Sequence, residues 1–415
     1  MSTLQTQDSV AYEILLREQK RQAEGIELIP SENYVSKAVL EANGSIFTNK
    51  YSEGYPGKRY YGGQEFVDQI ENLAIDRAKK LFKAEYVNVQ PYSGSPANAE
   101  IYMALLQYKD TVMGLKLDHG GHITHGLPIS FSGKFYNFVS YHVNPESQVL
   151  DFDEIRKVAL ESKPKMIVAG YSAYPRKIDW AAFRKIADEV GAMCFADISH
   201  TAGLIAGQQM ENPFDYGFDV VMTTTHKTLR GPRGAMIMAK QAYAKAIDKA
   251  VFPGLQGGPH EHTIMAKAVA FGEALQPEFK DYAAQIISNS KTLAGELMKR
   301  GWKLTTGGTD NHLAVADLSE MGVAGTQAQL AMDEAGITLN KNTVPYDKRG
   351  PMDPSGIRFG TPAITTRGMK EKEMLMIAEY MDTVIRNIDK PEVLKDVKEK
   401  VRQLCAGFPV PGITQ

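Results

Sequence analysis

Short apolar runs alternate with amphipathic segments through the first two thirds of the chain. The apolar runs are 86–89, 111–115, 165–169, 192–196, 218–222 and 235–238. Segments with helical spacing of apolar residues lie between several of them, namely 66–82, 97–106, 153–161 and 180–190. This alternation predicts an α/β fold with a largely parallel sheet, whose ligands bind beyond the carboxyl ends of the strands.

Two further regions flank this alternation. Residues 12–21 have helical spacing, and Pro30 ends that region. A long amphipathic helix is predicted over 279–300, and the elements after it lose the parallel regularity. We therefore expect an N-terminal helical arm (1–48), a large α/β domain (49–276) and a small α+β domain (277–415).

Charge and cysteine content limit the classes of function. The 415 residues include 47 basic and 49 acidic side chains, for a formal net charge of −2, which argues against nucleic acid as a partner. Two cysteines, Cys194 and Cys405, are too few for a disulfide framework, so a reducing cytoplasm is expected. No apolar run is long enough for a membrane span, and the polar start of the chain lacks the features of a secretory signal.

The stretch 223–234 places a lysine between two predicted core strands. Lys227 lies in this polar turn, and Arg233 is close to it in sequence. A lysine shielded from water beside a fixed cation has its charged form disfavoured, so its amine can attack a carbonyl. A solvated loop lysine is the alternative.

Ser93-Gly94-Ser95 lies at a junction between a predicted strand and a predicted helix. Small residues let backbone amides approach an oxyanion there, hydroxyls add donors and the helix amino terminus adds partial positive charge. The segment is therefore a candidate phosphate cup, with an ordinary helix N-cap as the alternative.

Asp197 follows the run 192–196, and His200 comes three residues later. A carboxylate at a strand end can pair with a protonated ring nitrogen of a heterocyclic cofactor, and a nearby histidine can stack on the ring or hydrogen-bond to it. Alternatively, Asp197 caps the helical turn that starts near Thr201.

Metal ligation is not expected. His119, His122 and His125 lie in a loop that contains glycines, and His260-Glu261-His262 forms a second cluster. Neither cluster has the helical His-x-x-x-His spacing typical of zinc enzymes.

An irregular loop and an arginine complete the candidate site. Residues 49–63 contain four tyrosines without helical or strand periodicity, which favours a site-forming loop, although an aromatic-packed structural loop stays open. Arg358 lies in a strand-like run flanked by glycines. Its guanidinium suits bidentate recognition of a substrate carboxylate, and a structural ion pair is the alternative.

Together these features match one kind of chemistry. A phosphate cup, a carboxylate for a ring nitrogen, a reactive lysine and a carboxylate-binding arginine are what pyridoxal phosphate requires to act on an amino acid. The lysine would hold the aldehyde, the aspartate would keep the pyridine nitrogen protonated and the arginine would orient the substrate.

Over nearly its full length the chain resembles the serine hydroxymethyltransferases. The resemblance rests on six segments: 51–63, 89–95, 120–126, 223–234, 307–312 and 355–358. It implies a fold-type-I pyridoxal phosphate enzyme of the aspartate aminotransferase architecture, with a mostly parallel seven-stranded sheet, active as a homodimer or a tetramer of such dimers. It also implies the reversible conversion of L-serine and tetrahydrofolate to glycine and 5,10-methylenetetrahydrofolate, with side aldolase activity on other 3-hydroxy amino acids.

The resemblance further implies roles for individual residues. For the cofactor these are a Schiff base on Lys227, Asp197 at the pyridine nitrogen, His122 stacked on the ring, Ser172 and His200 at the phenolic oxygen, and Gly94, Ser95, His226 and the partner subunit's Gly258 at the phosphate. The substrate carboxylate would meet Ser31, Arg358 and Tyr61. Glu53 would move protons beside Tyr51 and Tyr61 of the neighbouring chain, while Thr224 and Arg233 shape the surroundings of Lys227. The implied folate contacts are Glu53, Tyr60, Leu117, Gly121, Ile123 and Asn342.

Two departures from the family pattern concern the folate rim. Tyr346 stands where a smaller polar residue is common, and Gly350-Pro351-Met352 replaces a serine-proline-phenylalanine. The alternatives are a pyridoxal phosphate aldolase, a hydroxymethyltransferase for α-methylserine, and a cofactor-binding fold retained for regulation or RNA binding. Four intact residues, Lys227, Asp197, Glu53 and Arg358, argue against the last of these, as does the balanced charge.

Overall fold

The computed structural model describes residues 3–413. The chain begins with helices α1 (Thr3–Gln7) and α2 (Ser9–Glu24), and Asp8 caps α2 by accepting a hydrogen bond from the amide of Ala11 at 2.9 Å. The short elements that follow are β1 (Ile26–Glu27), α3 (Lys37–Asn43) and a hairpin of β2 (Gly54–Tyr55) and β3 (Lys58–Arg59). The helix predicted over 12–21 is confirmed and extends further in both directions.

Strands and helices then alternate up to residue 239. In chain order they are α4 (Glu65–Phe82), β4 (Tyr86–Asn88), α5 (Gly94–Leu105), β5 (Thr111–Leu115), α6 (Phe131–Phe135), β6 (Asn137–Tyr141), α7 (Phe152–Ser162), β7 (Met166–Ala169), α8 (Trp180–Val190), β8 (Met193–Asp197), α9 (Ala202–Ala206), β9 (Val220–Thr224) and β10 (Ala235–Ala239).

These seven strands form one sheet in the order β4-β10-β9-β8-β7-β5-β6. Strands β5 to β9 run parallel, whereas β10 is antiparallel to both of its neighbours, β4 and β9. Every residue of β7, β9 and β10 is buried, as expected for a sheet covered on both faces. Because the parallel strands end at one edge, the loops that follow β7, β8 and β9 lie side by side there.

Helices α10 (Ala244–Lys249) and α11 (Glu261–Ala274) follow and still pack with the seven-stranded sheet. The rest of the chain is organised around a second, antiparallel sheet. Its elements are α12 (Glu278–Lys299), β11 (Lys303–Leu304), β12 (Leu313–Asp317), α13 (Gly325–Glu334), β13 (Ile337–Thr338), β14 (Asn340–Asn342), β15 (Gly356–Gly360), α14 (Pro362–Thr366), α15 (Glu371–Arg386) and α16 (Pro391–Ala406). The sheet has the order β11-β12-β15-β14, and β13 pairs separately, in parallel, with β1.

Separate apolar clusters lie beside the two sheets. One surrounds the seven-stranded sheet and includes Phe82, Phe183 and Phe271, each of which is fully buried. The other packs the C-terminal helices on the four-stranded sheet and also contains Ile26 and Leu28. We propose that the chain divides as 1–48, 49–276 and 277–415, of which residues 1, 2, 414 and 415 lie outside the described part.

The predicted α/β fold with a mostly parallel sheet is confirmed, and two local predictions need correction. Strand β6 has no counterpart among the predicted runs, because it lies at the sheet edge and four of its five residues are partly or fully exposed. Helix α5 begins at Gly94 rather than at residue 97, since Pro96 is tolerated in a first turn, where its missing N–H has no intrahelical partner. None of the described helices is both long and apolar enough to cross a membrane.

Candidate active site

A cavity of about 400 Å³ opens at the carboxyl edge of the seven-stranded sheet. Twelve of the residues predicted from the sequence line it: Ser31, Gly94, Ser95, His122, Ser172, Asp197, His200, Thr224, His226, Lys227, Arg233 and Arg358. Six others complete the lining: Glu32, Ser93, His125, Tyr171, Ser199 and Met222. Residues spread over more than 300 positions of the chain thus face one another.

Lys227 reaches this cavity from the loop between β9 and β10. Its backbone carbonyl accepts a hydrogen bond from Asn33 Nδ2 at 2.9 Å, which fixes the loop. Burial lowers the pKa of Lys227 to about 8; Asp197 opposes this shift, while the guanidinium groups of Arg358 and Arg233 add to it. About a tenth of the amine is therefore uncharged at pH 7, far more than for a lysine of ordinary pKa, and can act as a nucleophile.

Asp197 ends strand β8 and is held by two hydrogen-bond donors beside a histidine. Its Oδ2 accepts a hydrogen bond from Asn98 Nδ2 at 3.1 Å and lies 3.3 Å from His125 Nε2, while Oδ1 accepts one from the Ser199 amide at 3.1 Å. Burial alone would raise the pKa of Asp197, but the adjacent imidazole of His125 and the other favourable contacts hold it well below the ordinary value. The carboxylate is therefore ionised and suited to face a protonated ring nitrogen.

Two neutral histidines flank the same space. His122 Nδ1 lies 2.7 Å from Thr124 Oγ1, and burial lowers the pKa of His122 to about 4. His200 Nδ1 lies 3.1 Å from His312 Nε2 of the strand region before β12, and burial together with the charge of Lys227 holds the pKa of His200 well below its ordinary value. Uncharged imidazoles can stack on a cationic ring without electrostatic repulsion.

The predicted phosphate cup lies at the amino terminus of α5. Ser93 is the N-cap residue, yet its side chain makes no capping hydrogen bond, so its hydroxyl stays free for another partner. Within residues 3–413, Thr224 Oγ1 and His226 Nδ1 also lack a hydrogen-bond partner. Free hydroxyl and imidazole groups beside a helix amino terminus fit a phosphate.

Arg358 projects from β15 toward the cavity. Its Nε donates to Asn340 Oδ1 at 3.1 Å and one terminal nitrogen donates to the carbonyl of Ser172, which joins the two sheets. No carboxylate of the described chain lies within ion-pair distance of Arg358, and burial lowers its pKa to about 10, so it stays charged at neutral pH. The ion-pair alternative is therefore not observed, and the arginine suits an incoming carboxylate.

Comparison with known proteins agrees with this geometry. The family model described as serine hydroxymethyltransferase matches residues 4–381. A serine hydroxymethyltransferase of Desulfotalea psychrophila (strain LSv54 / DSM 12343) is 58% identical over 413 residues, covering 100% of this chain and 97% of that protein. The chain belongs to the serine hydroxymethyltransferase family.

Members of the serine hydroxymethyltransferase family are fold-type-I enzymes that use pyridoxal phosphate and tetrahydrofolate. The seven-stranded sheet with one antiparallel strand agrees with that fold. The cavity fits the cofactor, because polar groups without a partner lie at the cup, and an ionised carboxylate and a nucleophilic lysine line the same cavity.

A second group of predicted residues lies together but does not line the cavity. Tyr51 donates a hydrogen bond to Glu53 Oε1 at 3.2 Å and its ring meets that of Tyr61 edge-on, with centroids 5.2 Å apart. Gly258 lies against this group, since a Cβ placed on it would be 3.7 Å from the Glu53 amide. Tyr60, 74% exposed, packs its ring against Phe252. The family resemblance implies that Tyr51, Glu53, Tyr61 and Gly258 serve a neighbouring subunit's site, and none of the four lines the cavity of its own chain.

The remaining residues predicted to contact folate lie in two places and are not part of the cavity lining. Leu117, Gly121 and Ile123 belong to the loop after β5 that carries His122, and Asn342 ends strand β14. Tyr346 donates a hydrogen bond to the carbonyl of Val143 at 2.7 Å and packs against the ring of His119, so it is anchored rather than free.

Sequence reasoning did not give His125 a role with Asp197. The structure brings His122, His125 and Asp197 together, with one potential ligand atom from each within 4.8 Å of the others. The histidine spacing alone did not point to this, because Asp197 comes from another strand. The position of His125 in the segment 120–126, one of the segments that carry the family resemblance, was the sequence signal that could have pointed to a role for it.

Proposed function

We propose that this protein catalyses the reversible conversion of L-serine and tetrahydrofolate to glycine and 5,10-methylenetetrahydrofolate. The observation that carries the proposal is Arg358, a charged arginine without a carboxylate partner in the described chain, facing the same cavity as Lys227 and Asp197. A cavity with these three groups selects an amino acid as the substrate. Family membership supports the choice of serine and folate.

The residues that would hold pyridoxal phosphate are those of the cavity. Lys227 would bond its aldehyde, Asp197 would pair with the ring nitrogen, His122 would cover the ring, Ser172 and His200 would meet the phenolic oxygen, and Gly94, Ser95 and His226 would meet the phosphate. When bound, the cofactor supplies an electron sink that stabilises negative charge developing on the substrate. Thr224 and Arg233 would border Lys227, and the charge of Arg233 adds to the lowering of the lysine's pKa.

Arg358 orients the substrate through its free edge. Two of its N–H groups are used by Asn340 and Ser172, which leaves terminal N–H groups for both oxygens of a carboxylate. Ser31, at the opposite end of the same wall, adds a hydroxyl donor. Because both protein contacts fix the guanidinium plane, the amino acid would bind in one orientation.

We propose a homodimer, or a tetramer of such dimers, with each active site shared between two chains. In each site the partner's Glu53 would hold and move the proton of the substrate hydroxyl, with the partner's Tyr51 and Tyr61 beside it and the partner's Gly258 near the phosphate. Support comes from the hydrogen bond and ring contact that hold these side chains in one group and from their absence from the cavity lining.

Tetrahydrofolate would bind at the cavity mouth. Leu117, Gly121, Ile123 and Asn342 would come from one chain, and Glu53 and Tyr60 from its partner. Exposure of Ile123 (45%) and Leu117 (39%) supports a role in binding an aromatic ring system at the surface. Side aldolase activity on other 3-hydroxy amino acids would use the same Arg358 and Lys227 without folate.

The test is an assay of purified protein with L-serine and tetrahydrofolate that follows glycine and methylenetetrahydrofolate. Folate-dependent turnover is expected, together with the visible absorbance of a lysine-bound cofactor. Turnover that ignores folate would favour the aldolase, and preference for α-methylserine would favour the related hydroxymethyltransferase. Lys227→Ala should retain weak cofactor binding but reduce turnover by about a thousandfold or more. Lys245→Ala, at an exposed position of α10, is the control and should leave turnover unchanged. Full activity of Lys227→Ala would refute the assignment.

We further propose a cytoplasmic protein whose partners are small molecules and copies of itself, without nucleic acid or membrane. The two buried, free cysteines support a reducing compartment, and the balanced charge of −2 supports the absence of nucleic acid.

A further inference from the structure

A buried lysine outside the cavity has no role in the chemistry described so far. Lys267 lies on α11, is 1% exposed, and donates hydrogen bonds from its Nζ to three backbone carbonyls: Val89 at 2.6 Å, Ala235 at 2.8 Å and Pro91 at 3.1 Å. Three acceptors around one nitrogen require three N–H groups, which only the ammonium form has. Burial lowers the pKa of Lys267 to about 7, and the carboxyl groups of Glu100, Glu71 and Glu261 oppose that loss of charge.

The carbonyls that Lys267 binds belong to an irregular segment. Strand β4 ends at Asn88, and residues 89–92 lead from it to the phosphate cup without a sheet partner of their own. Buried backbone groups outside a ladder need other hydrogen-bond partners. In this segment Lys267 donates to the carbonyl of Val89 and, together with the Ala235 amide at 3.2 Å, to the carbonyl of Pro91.

Gln256 completes the support of this segment. Its Nε2 donates to the carbonyl of Gln90 at 3.0 Å, and its Oε1 accepts from the amide of Tyr92 at 2.9 Å. The amide of Gln90 donates to Asn88 Oδ1 at 2.9 Å. Each residue from 89 to 92 is thus fixed through its backbone, immediately before Ser93.

Lys267 also contacts the other side of the cofactor site. Ala235, its third acceptor, begins β10, directly after the loop that carries Lys227. At Gly234 an added Cβ would lie 2.6 Å from Lys267 Cε, so the lysine side chain passes where only glycine leaves room. One ammonium therefore joins the backbone before the phosphate cup to the backbone after the lysine loop.

We propose that Lys267 is a positioning residue that fixes the phosphate cup through the three backbone carbonyls bound by its Nζ. The proposal rests on the proposed function, because it assumes that Ser93-Gly94-Ser95 binds the cofactor phosphate. Without the ammonium, the carbonyl of Val89 loses its hydrogen bond and the carbonyl of Pro91 keeps only the one from the Ala235 amide, so the segment that leads into the cup is held less firmly. Loss of the ammonium group should therefore weaken binding of the phosphate and leave binding of the pyridine ring unchanged.

The test compares two ligands that differ in the phosphate alone. Full-length apoprotein is titrated with pyridoxal 5′-phosphate and with pyridoxal, following the visible absorbance of the Schiff base. Lys267→Met, which retains the apolar part of the side chain, should lower the affinity for pyridoxal 5′-phosphate by about tenfold or more. The same substitution should change the affinity for pyridoxal by less than about twofold. Arg77→Met is the matched control, because Arg77 donates to the carbonyl of Ala268, the next residue of α11, at 2.6 Å; it should change neither affinity.

Each outcome decides the proposal. Equal weakening of both ligands, or of neither, by Lys267→Met overturns the positioning role. If the unsubstituted protein itself binds both ligands equally, the cup does not bind phosphate, and the failure then lies in the proposed function as well. Should Lys267→Met not fold, Lys267→Gln, which keeps an amide donor, carries the same comparison with the same criteria.

Discussion

Asp197 and His125 form a buried pair, with Oδ2 and Nε2 3.3 Å apart and side chains 8% and 1% exposed. The pair explains how a carboxylate shut away from water keeps its charge. The pKa of Asp197 in the folded protein lies below the ordinary pKa of an aspartate. The stability that its charge contributes is therefore present above the ordinary pKa and is lost only when the pH falls through the pKa of the folded state.

Replacing His125 by leucine removes this polar neighbour and should raise the pKa of Asp197. The acid limb of the activity–pH profile should then move to higher pH, and kcat/KM at neutral pH should fall by about tenfold, as for loss of a polar contact to a charged group. Steady-state rates measured across a range of pH give both effects. His142→Leu is the control, because His142 is also partly buried but lies away from Asp197. An unmoved acid limb would show that His125 does not maintain the charge of Asp197.

Capture of pyridoxal phosphate by the apoprotein should become faster as pH rises through about 8, where Lys227 loses its proton. Because the charge of Arg233 contributes to lowering the pKa of Lys227, Arg233→Gln should move the midpoint of this rate profile to higher pH. Stopped-flow absorbance gives the profile, and Arg349→Gln, on an exposed loop, should leave it in place. A midpoint that shifts downward would contradict the sign of this interaction.

Mixed dimers test the sharing of sites. Lys227→Ala and Glu53→Gln should each be inactive alone, yet random mixing should restore about a quarter of the normal activity, because half of the dimers are mixed and each of these has one complete site. Activity is measured after the two proteins are unfolded together and refolded, and Glu53→Gln mixed with itself is the control. Continued inactivity of the mixture would place Glu53 and Lys227 in the same chain's site.

Glu100 should make stability depend on pH. Both of its carboxylate oxygens lack a hydrogen-bond partner within the described chain, and burial raises its pKa to about 8. When the pKa of a carboxyl group is raised by folding, its contribution to stability is fully present below the pKa of the unfolded state. That contribution is lost as the pH rises through the pKa of the folded state. Glu100→Gln should remove that loss of stability, which is on the order of 3 kcal/mol. The free energy of unfolding in urea, measured from about pH 5 to pH 8, should therefore vary less with pH in this variant than in the unsubstituted protein. Glu85→Gln, at an exposed position, is the control. Parallel profiles would show that Glu100 ionises freely.

The strands and their loops were predictable from sequence because buried parallel strands are apolar runs, and the site follows them. Lys227 and Asp197 could be assigned to loops at the same sheet edge on that basis alone. His125 and Lys267 could not, since their partners lie 72 and 178 residues away along the chain, counted to Asp197 and Val89. Likewise β6 was missed because an exposed edge strand lacks the continuous apolar signal of its neighbours.

The contacts between the two sheets give the cavity a mechanical property. Arg358 reaches from the four-stranded sheet to Ser172, and His312 from beside the same sheet to His200, while Arg176 binds Asp310 at 3.0 Å. Any rotation that separates the sheets therefore breaks the contacts of Arg358 and of His200 in one movement. A compound wedged between the sheets would displace both the arginine proposed to bind the substrate and a histidine proposed to contact the cofactor, without ever touching Lys227.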